Sequence, residues 1–152
     1  MNLQYTLANQ PKVAMLTEAA IARLLEHEPE EGYYLAFSGG KDSVVIYDLA
    51  VRARVKFDPH YSQTTVDPPE VQQFIKEHYP HVAWDKPRNS MFRLIPLKKM
   101  VPTRLIRYCC SELKEIGGAG RTVVTGIRWA ESTARRGILP RILWRQGQCG
   151  DL

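Results

Sequence analysis

Long apolar runs are missing from this sequence. No uninterrupted stretch of its 152 residues approaches the length that crosses a bilayer, and the N-terminus lacks the basic-then-apolar pattern of a secretory signal. These two absences argue against a membrane-spanning helix and against secretion. We therefore expect a cytoplasmic protein that has no membrane partner.

Cysteine is scarce, with three residues in the whole chain. Cys109 and Cys110 are adjacent and Cys149 lies near the end, which is not a disulfide framework. Neighbouring cysteines rarely bridge each other, so free thiols, metal ligation and redox chemistry all stay open. Internal repeats and low-complexity tracts are absent too, and one domain is the default for a chain of this length.

The composition is that of an ordinary globular chain. Hydrophobic residues make up 44% and charged residues 24% of the sequence. The formal net charge of +5 favours an anionic partner. A nucleotide would satisfy that charge, and so would a nucleic acid.

The strongest local signal is a short apolar run that ends in two glycines. Residues 33–37 are aromatic or aliphatic and predict a buried strand, which then breaks at Ser38-Gly39-Gly40. A new apolar periodicity of helical spacing begins at Val44. The pattern predicts a strand, a tight loop and a helix.

Such a loop is suited to binding an anion. The two glycines remove the Cβ atoms that would keep an anion off the backbone N–H groups at the helix start. Lys41 adds a full positive charge, and Ser38 and Ser43 can add hydroxyl donors. The spacing is not that of a Walker A loop. The plainer interpretation is a turn in which Asp42 or Ser43 caps the helix.

The remaining apolar patterns alternate between helix and strand. In chain order they predict a helix over 11–25, a strand region over 55–66 interrupted at Asp58-Pro59, a helix over 71–79, a strand over 82–84, a helix, a proline-containing connection and a second helix within 91–114, and a strand over 121–126. This alternation predicts an α/β fold with a doubly wound, mainly parallel sheet and flanking helices.

Polar residues follow the second and fourth predicted strands. Thr65 and Asp67 stand where the second strand ends, and Arg128 and Arg135 come after the fourth. Open α/β sheets bind ligands at the carboxyl ends of their strands, and guanidinium groups suit phosphate and sulfate oxygens. The alternatives are a plain strand-to-helix corner at the first pair and a solvated helix face, paired with Glu131, at the second.

Three segments, in order along the chain, carry a resemblance to a known family. Ser38-Gly39-Gly40-Lys41-Asp42-Ser43 resembles the PP-loop of the adenine-nucleotide alpha-hydrolase superfamily. Residues 64–70, Thr-Thr-Val-Asp-Pro-Pro-Glu, are similar to the second motif of its phosphoadenylyl-sulfate (PAPS) reductase family. Residues 126–135 resemble that family's Gly-x-Arg-x-x-(Glu/Gln)-Ser-x-x-Arg motif at every defined position. The resemblance extends over about 29–136.

The resemblance implies a single nucleotide-binding domain of adenine-nucleotide alpha-hydrolase type that is short at its C-terminus. It implies an adenylyl nucleotide as ligand (PAPS, adenylyl sulfate or ATP) and thiol-driven reduction to sulfite with a thioredoxin-like reductant. The nucleotide-binding residues that it implies are Ser38, Gly39, Gly40, Lys41, Asp42, Ser43, Thr65, Asp67, Gly126, Arg128, Ser132 and Arg135.

The C-terminal residues match the family only in part. Family reductases use the cysteine of a Glu-Cys-Gly-Leu-His motif to attack the sulfonate sulfur. Here Gln148-Cys149-Gly150 matches at the cysteine and glycine, so the resemblance makes Cys149 the candidate nucleophile. The family usually adds another strand and helices after the arginine motif, where this chain has residues 137–152. The resemblance therefore supports nucleotide binding through three motifs and turnover only through Cys149 and Gly150.

The adjacent cysteines have several interpretations. In adenylyl-sulfate reductases a similar Cys-Cys pair joins a later Cys-x-x-Cys to bind a four-iron cluster, which needs four thiolates. Only Cys149 remains here, which argues against a complete intrachain cluster. The other interpretations are a buried pair without chemistry, ligands shared across a homodimer, and a redox thiol near Arg107 and Lys114.

Two other functional classes stay open. An ATP pyrophosphatase or sulfurtransferase would use the same loop, with ATP as substrate and Mg²⁺ as its ion. A truncated, non-catalytic remnant that binds nucleotide or nucleic acid would also fit the positive charge, although phosphate-binding loops already account for part of that charge.

Overall fold

The structure is a computed structural model that describes residues 3–115, 117–126 and 143–144. Helices and strands alternate along most of this length. In chain order they are α1 Leu3–Glu26, β1 Tyr33–Ala36, α2 Lys41–Ala53, β2 Phe57–Ser62, α3 Pro69–His78, β3 Ala83–Asp85, α4 Met91–Lys98, α5 Tyr108–Leu113, β4 Thr122–Val124 and β5 Leu143–Trp144.

The strands form one sheet in the order β3-β2-β1-β4-β5. The first four strands are parallel, since β1 pairs in parallel with β2 and β4, and β2 does so with β3. The two-residue β5 is antiparallel to β4. The expected α/β architecture, with a mainly parallel sheet and flanking helices, is confirmed.

The sheet is covered on both faces. Alternate residues of the β1 segment, including Leu35 and Phe37, pack into a core with Ala50 of α2 and Ile75 of α3. Leu35 and Ile75 are fully buried, and burying such a side chain stabilises a fold by about 1.5–3 kcal/mol. Tyr34 points to the other face, where Leu113 of α5 and residues 117–119 lie.

The predicted interruption of β2 at Asp58-Pro59 is wrong, because the strand runs unbroken through both residues. The N–H groups of Tyr33 and Phe37 donate to the carbonyls of Lys56, just before β2, and of His60 within it, so both carbonyls face β1. The Pro59 nitrogen therefore faces the side of β3. Pairing with β3 begins only at His60, so the N–H that Pro59 lacks is not needed by the ladder.

Two further boundaries differ from expectation. Helix α1 begins at Leu3, whereas the sequence predicted a start at Pro11. Leucine, glutamine and alanine, all good helix formers, make up most of residues 3–10 and extend the helix towards the N-terminus. Strand β5 was not predicted, since two residues carry no periodicity. Within the described residues, no helix has both the length and the apolarity required to span a bilayer.

Candidate functional site

The carboxyl ends of the four parallel strands meet at one edge of the sheet, which we call the carboxyl edge. The segments that follow β1, β2, β3 and β4 along this edge are 37–40, 63–68, 86–90 and 125–126. Helices α2, α3 and α4 also begin here, so three positive helix ends face the same side. Anionic ligands are favoured at such an edge.

The glycine loop, residues 38–43, joins β1 to α2 as predicted. Gly40 is the N-cap of α2, with φ −78° and ψ 158°. The N–H of Lys41 has no acceptor among the described residues, and the N–H of Gly40 has only a long contact of 3.4 Å to the Ser38 hydroxyl. Lys41 is exposed and forms no ion pair with any described residue. Backbone donors and a full positive charge therefore face solvent together.

The serine hydroxyls hold the loop together. Ser43 is only 4% exposed and donates its proton to the Gly40 carbonyl oxygen at 2.8 Å. Ser38 is exposed and its hydroxyl lies 3.2 Å from that of Ser43. Ser43 therefore bonds a carbonyl rather than a free N–H group, and in this geometry it supports the loop from beneath.

The two glycines of the loop have different reasons to be glycine. Gly39 has φ +71°, and a Cβ on it would come within 3.1 Å of Ile75 and 3.3 Å of Val71 in α3. Gly40 has an ordinary φ, and a Cβ there would meet only the Ser38 hydroxyl, at 3.4 Å. Backbone conformation and packing thus require glycine at position 39 but not at 40. An approaching ligand would explain the second glycine.

The end of β4 touches the start of α2. A Cβ on Gly126 would lie 3.0 Å from the carbonyl carbon of Asp42, 3.1 Å from its oxygen and 3.2 Å from the Ser43 nitrogen. The first and third of the predicted motifs therefore meet in space. The other residues of the third motif, Arg128, Ser132 and Arg135, lie outside the described residues, as does Cys149.

The second motif is engaged in holding its own turn and the next helix. Thr65 has φ +67°, and its hydroxyl accepts a hydrogen bond of 2.9 Å from the N–H of Met91 at the start of α4. Asp67 accepts one of 2.8 Å from the N–H of Thr64. Burial pushes the pKa of Asp67 upward, but hydrogen bonds from Thr64, the neighbouring Tyr61 hydroxyl and the Lys114 charge prevail, and the pKa is lowered overall.

Tyr61 lies beneath this turn. It is 3% exposed, packs edge-on against Trp84, and its hydroxyl has no partner of normal hydrogen-bond geometry among the described residues. Burial raises the pKa of Tyr61, and the neighbouring Asp67 carboxylate raises it further. The Tyr61 hydroxyl is therefore a buried polar group that the described residues leave unsatisfied.

The adjacent cysteines lie on α5 and are half-buried rather than buried. The Arg107 guanidinium donates to the sulfur of Cys110 at 3.3 Å, and this bond raises the pKa of Arg107. Arg107 therefore neighbours the pair, as one of the predicted alternatives requires. The positive charge of Lys114, the other predicted neighbour, instead helps to lower the pKa of Asp67. The described residues contain no cluster of three or more His, Cys, Asp or Glu side chains arranged for a metal ion.

One polar cluster was missed by the sequence analysis. The Tyr34 hydroxyl donates to Asp85 at 2.6 Å, the His60 ring nitrogen Nδ1 lies 3.1 Å from the same carboxylate oxygen, and the two rings stack with centroids 4.4 Å apart. These residues come from β1, β2 and β3. Polar residues at alternate strand positions were the available signal, but the register that unites them is not readable from the chain.

The chain was compared with known proteins by family and by sequence. No protein-family model matches it, and no curated protein matches it either. The indications of function are therefore the three sequence motifs, together with the placement of the first two and of Gly126 in the fold.

Proposed function

We propose that this protein is PAPS-reductase-like and binds an adenylyl nucleotide at the carboxyl edge, between the ends of β1 and β4. The proposal includes a fold of adenine-nucleotide alpha-hydrolase type. The single observation that carries it is the contact of Gly126 with the Asp42–Ser43 backbone, because it brings the first and third motifs together.

The strand order supports this location. From β1 the chain continues through α2 to β2 on one side, while β4 lies on the other side of β1. The strand order therefore reverses between β1 and β4. Ligands of open α/β sheets bind in the crevice outside such a reversal. The glycine loop and Gly126 border this crevice.

The glycine loop supplies the groups that an anion needs. The N–H of Lys41, the weakly engaged N–H of Gly40 and the positive end of α2 would face one phosphate or sulfate group. Hydrogen bonds to a charged group contribute about 1.5–3 kcal/mol each. By the resemblance, Arg128 and Arg135 would hold the remaining anionic groups of the ligand, with Ser132 beside them.

The proposed reaction is reduction of the sulfonucleotide by thiols. The thiolate of Cys149 would attack the sulfonate sulfur, the sulfur–oxygen bond to the nucleotide would break, and adenosine bisphosphate would leave. This step yields an S-sulfonate on the cysteine. A thioredoxin-like dithiol would then release sulfite, taking the disulfide form as it supplies the two electrons. The scheme rests on the partial C-terminal match.

Calorimetric titration tests the binding proposal. PAPS, adenylyl sulfate and ATP with Mg²⁺ would be titrated into the wild type, Lys41→Ala, and the control Lys12→Ala, which removes the same charge from α1. Loss of one charge-assisted contact should raise the Kd about 10- to 100-fold in Lys41→Ala. The control should bind as the wild type does. Equal affinities for the two variants would overturn the proposal.

Further measurements separate the functional classes. Arg128→Ala should weaken PAPS binding more than AMP binding, because AMP lacks the additional anionic groups. Sulfite formation with a dithiol should disappear in Cys149→Ser. ATP–pyrophosphate exchange, which a reductase has no reason to support, would instead indicate an ATP pyrophosphatase or sulfurtransferase. Tight DNA binding that adenylyl nucleotides fail to displace would indicate a nucleic-acid-binding protein.

A further inference from the structure

A groove of about 620 Å³ lies on the face of the sheet opposite α2 and α3. We call it the α5-side groove. Its floor is the Tyr34–His60–Asp85 cluster, one wall is formed by Leu113 and the Gly117-Gly118 turn, and Lys86 and Arg88 stand at its rim. The volume falls within the range of small-molecule binding sites.

The floor presents one unused acceptor. An ionised carboxylate only accepts hydrogen bonds, so Tyr34 and Nδ1 of His60 both donate to Asp85, at 2.6 Å and 3.1 Å. With the proton on Nδ1, the Nε2 atom of the neutral imidazole is an acceptor. Nε2 of His60 makes no hydrogen bond within the described residues. A ligand hydroxyl is the natural partner for it.

The wall keeps the floor in place. A Cβ on Gly117 would lie 1.9 Å from the Tyr34 hydroxyl oxygen, so the turn sits directly against that ring. Gly118 has φ +75°, and a Cβ there would lie 3.0 Å from the same ring. Only glycines allow this approach. The Tyr34 ring, 5% exposed, is therefore confined between the turn and His60.

The rim carries uncompensated positive charge. Lys86 and Arg88 follow β3, are exposed, and have no acidic partner among the described residues. A third cation in the groove, Arg121, is already paired with Asp58 at 2.7 Å. Asp85 is the acid of the groove and is occupied by its two donors. The two rim cations, less the one negative charge of Asp85 on the floor, thus favour an anionic group at the rim.

We propose that the α5-side groove binds a small organic phosphate, with the phosphate at Lys86 and Arg88 and a ligand hydroxyl donating to Nε2 of His60. A phosphate monoester carries between one and two negative charges at neutral pH, which matches the two free cations. The groove lies on the face of the sheet opposite α2 and α3, whereas the proposed nucleotide crevice lies at the carboxyl edge between the ends of β1 and β4. It is independent of that proposal.

Histidine side-chain NMR tests this site directly. The chain has four histidines, and the His60 resonance is the one that disappears in His60→Gln. Ribose 5-phosphate, with a phosphate and several hydroxyls, should shift this resonance in a saturable manner. Uncharged ribose should not. Inorganic phosphate has no sugar hydroxyl to donate to Nε2 of His60 on the floor, so it should bind at least tenfold more weakly than ribose 5-phosphate.

Variants locate the probe. The double variant Lys86→Ala/Arg88→Ala should raise the Kd for ribose 5-phosphate at least tenfold, while the control Lys12→Ala/Arg23→Ala, which removes equal charge from α1, should change it less than twofold. His60→Gln, followed through the amide resonances of residues 117 and 118, should lose the preference over inorganic phosphate. Lys41→Ala should bind ribose 5-phosphate as the wild type does.

Three results would overturn the proposal. One is a His60 resonance that ribose 5-phosphate leaves unchanged in the wild type. Another is an equal loss of affinity in the α1 control, which would indicate a non-specific charge effect. A third is loss of binding in Lys41→Ala, which would put the probe at the glycine loop. The PAPS titration tests the proposed nucleotide site by itself, so failure of that proposal can be distinguished from failure of this one.

Discussion

The two neighbouring glycines of the glycine loop allow stability and ligand binding to be tested separately. Gly40→Ala introduces a methyl group at φ −78° and ψ 158°, where alanine is unstrained and meets only the Ser38 hydroxyl at 3.4 Å. Reduced entropy of the unfolded chain stabilises such a change by about 0.4–1 kcal/mol. Alanine is a poorer N-cap than glycine, at a cost of similar size. The free energy of unfolding should stay within about 1 kcal/mol of the wild type.

Gly39→Ala should behave differently. At φ +71° the left-handed conformation costs an alanine roughly 1–2 kcal/mol. Its Cβ would also lie 3.1 Å from two atoms of the fully buried Ile75. Relief of this overpacking adds about 1 kcal/mol or more. We expect a total loss of about 2–3 kcal/mol, seen as a fall of several degrees in the melting temperature.

Ligand binding, unlike stability, should be impaired in Gly40→Ala. The alanine methyl of Gly40→Ala would stand beside the N–H groups of the loop and keep an anion from reaching them. Loss of one charge-assisted hydrogen bond corresponds to a rise of about 10- to 100-fold in the Kd for PAPS. Gly40→Ala should thus fold normally and bind poorly. The measurements are thermal unfolding by circular dichroism and calorimetric titration of the folded protein.

The outcome that would refute this reasoning is specific. A Gly40→Ala protein with both normal melting and normal PAPS affinity would show that no ligand approaches the loop backbone. A Gly39→Ala protein as stable as the wild type would show that neither the positive φ nor the contact with Ile75 constrains that position.

Three further substitutions test the surroundings of the loop. Gly126→Ala should lower the free energy of unfolding by about 1–3 kcal/mol through contact with the backbone at Asp42, and weaken PAPS binding; an unchanged melt and titration would contradict it. Tyr61→Phe should melt no lower than the wild type, because its hydroxyl has no partner of normal hydrogen-bond geometry among the described residues; a lower melting temperature would reveal a hydrogen bond to Asp67. The pKa of Asp67 is lowered by folding, so its charged form stabilises the protein above the unfolded pKa of about 4, and this contribution disappears as pH falls through the folded value. Urea unfolding of Asp67→Asn should therefore depend less on pH below about 4, and parallel pH profiles would argue against this contribution.

Much of the order of elements was readable from the sequence because strands such as β1 and β4 are short apolar runs next to turn-forming residues. Residues 33–37, followed by two glycines, predicted both β1 and the start of α2 near Lys41. The helices were predicted from apolar spacing together with the prolines and glycines at their ends. The parallel arrangement follows from that alternation, since a crossover helix between two strands returns the chain to the same edge.

Structural features that depend on pairing between distant segments could not be predicted from the sequence. The sequence predicts an interruption at the proline, whereas the register leaves Pro59 before the start of β3 pairing, where it needs no N–H. Strand β5 exists only because its two residues pair with Thr122 and Val123. Neither fact has a local signal in the chain.

In the candidate site, too, some features have a local signal in the sequence and others depend on contacts that form only in the folded chain. Motif spacing selected the glycine loop and Gly126 without revealing that they touch. It selected Thr65 and Asp67 as nucleotide-binding residues. In the structure the Thr65 hydroxyl accepts a hydrogen bond from the N–H of Met91, and the Asp67 carboxylate accepts one from the N–H of Thr64. The first of these bonds joins a loop to the start of α4 and the second lies within one turn, and hydrophobic periodicity carries no information about either.

The distribution of satisfied polar groups along the carboxyl edge indicates where a ligand is needed. Beyond β2, the Thr65 and Asp67 side chains already bond the backbone of neighbouring turns, so this part of the edge is closed by the protein itself. Beyond β1, the N–H of Lys41 has no acceptor among the described residues, and its ammonium group has no acidic partner there. An anion would satisfy both groups at the one point where the strand order reverses. Because the first region is held by internal bonds, substitutions at Asp67 should be felt mainly in stability, and those at Lys41 mainly in binding.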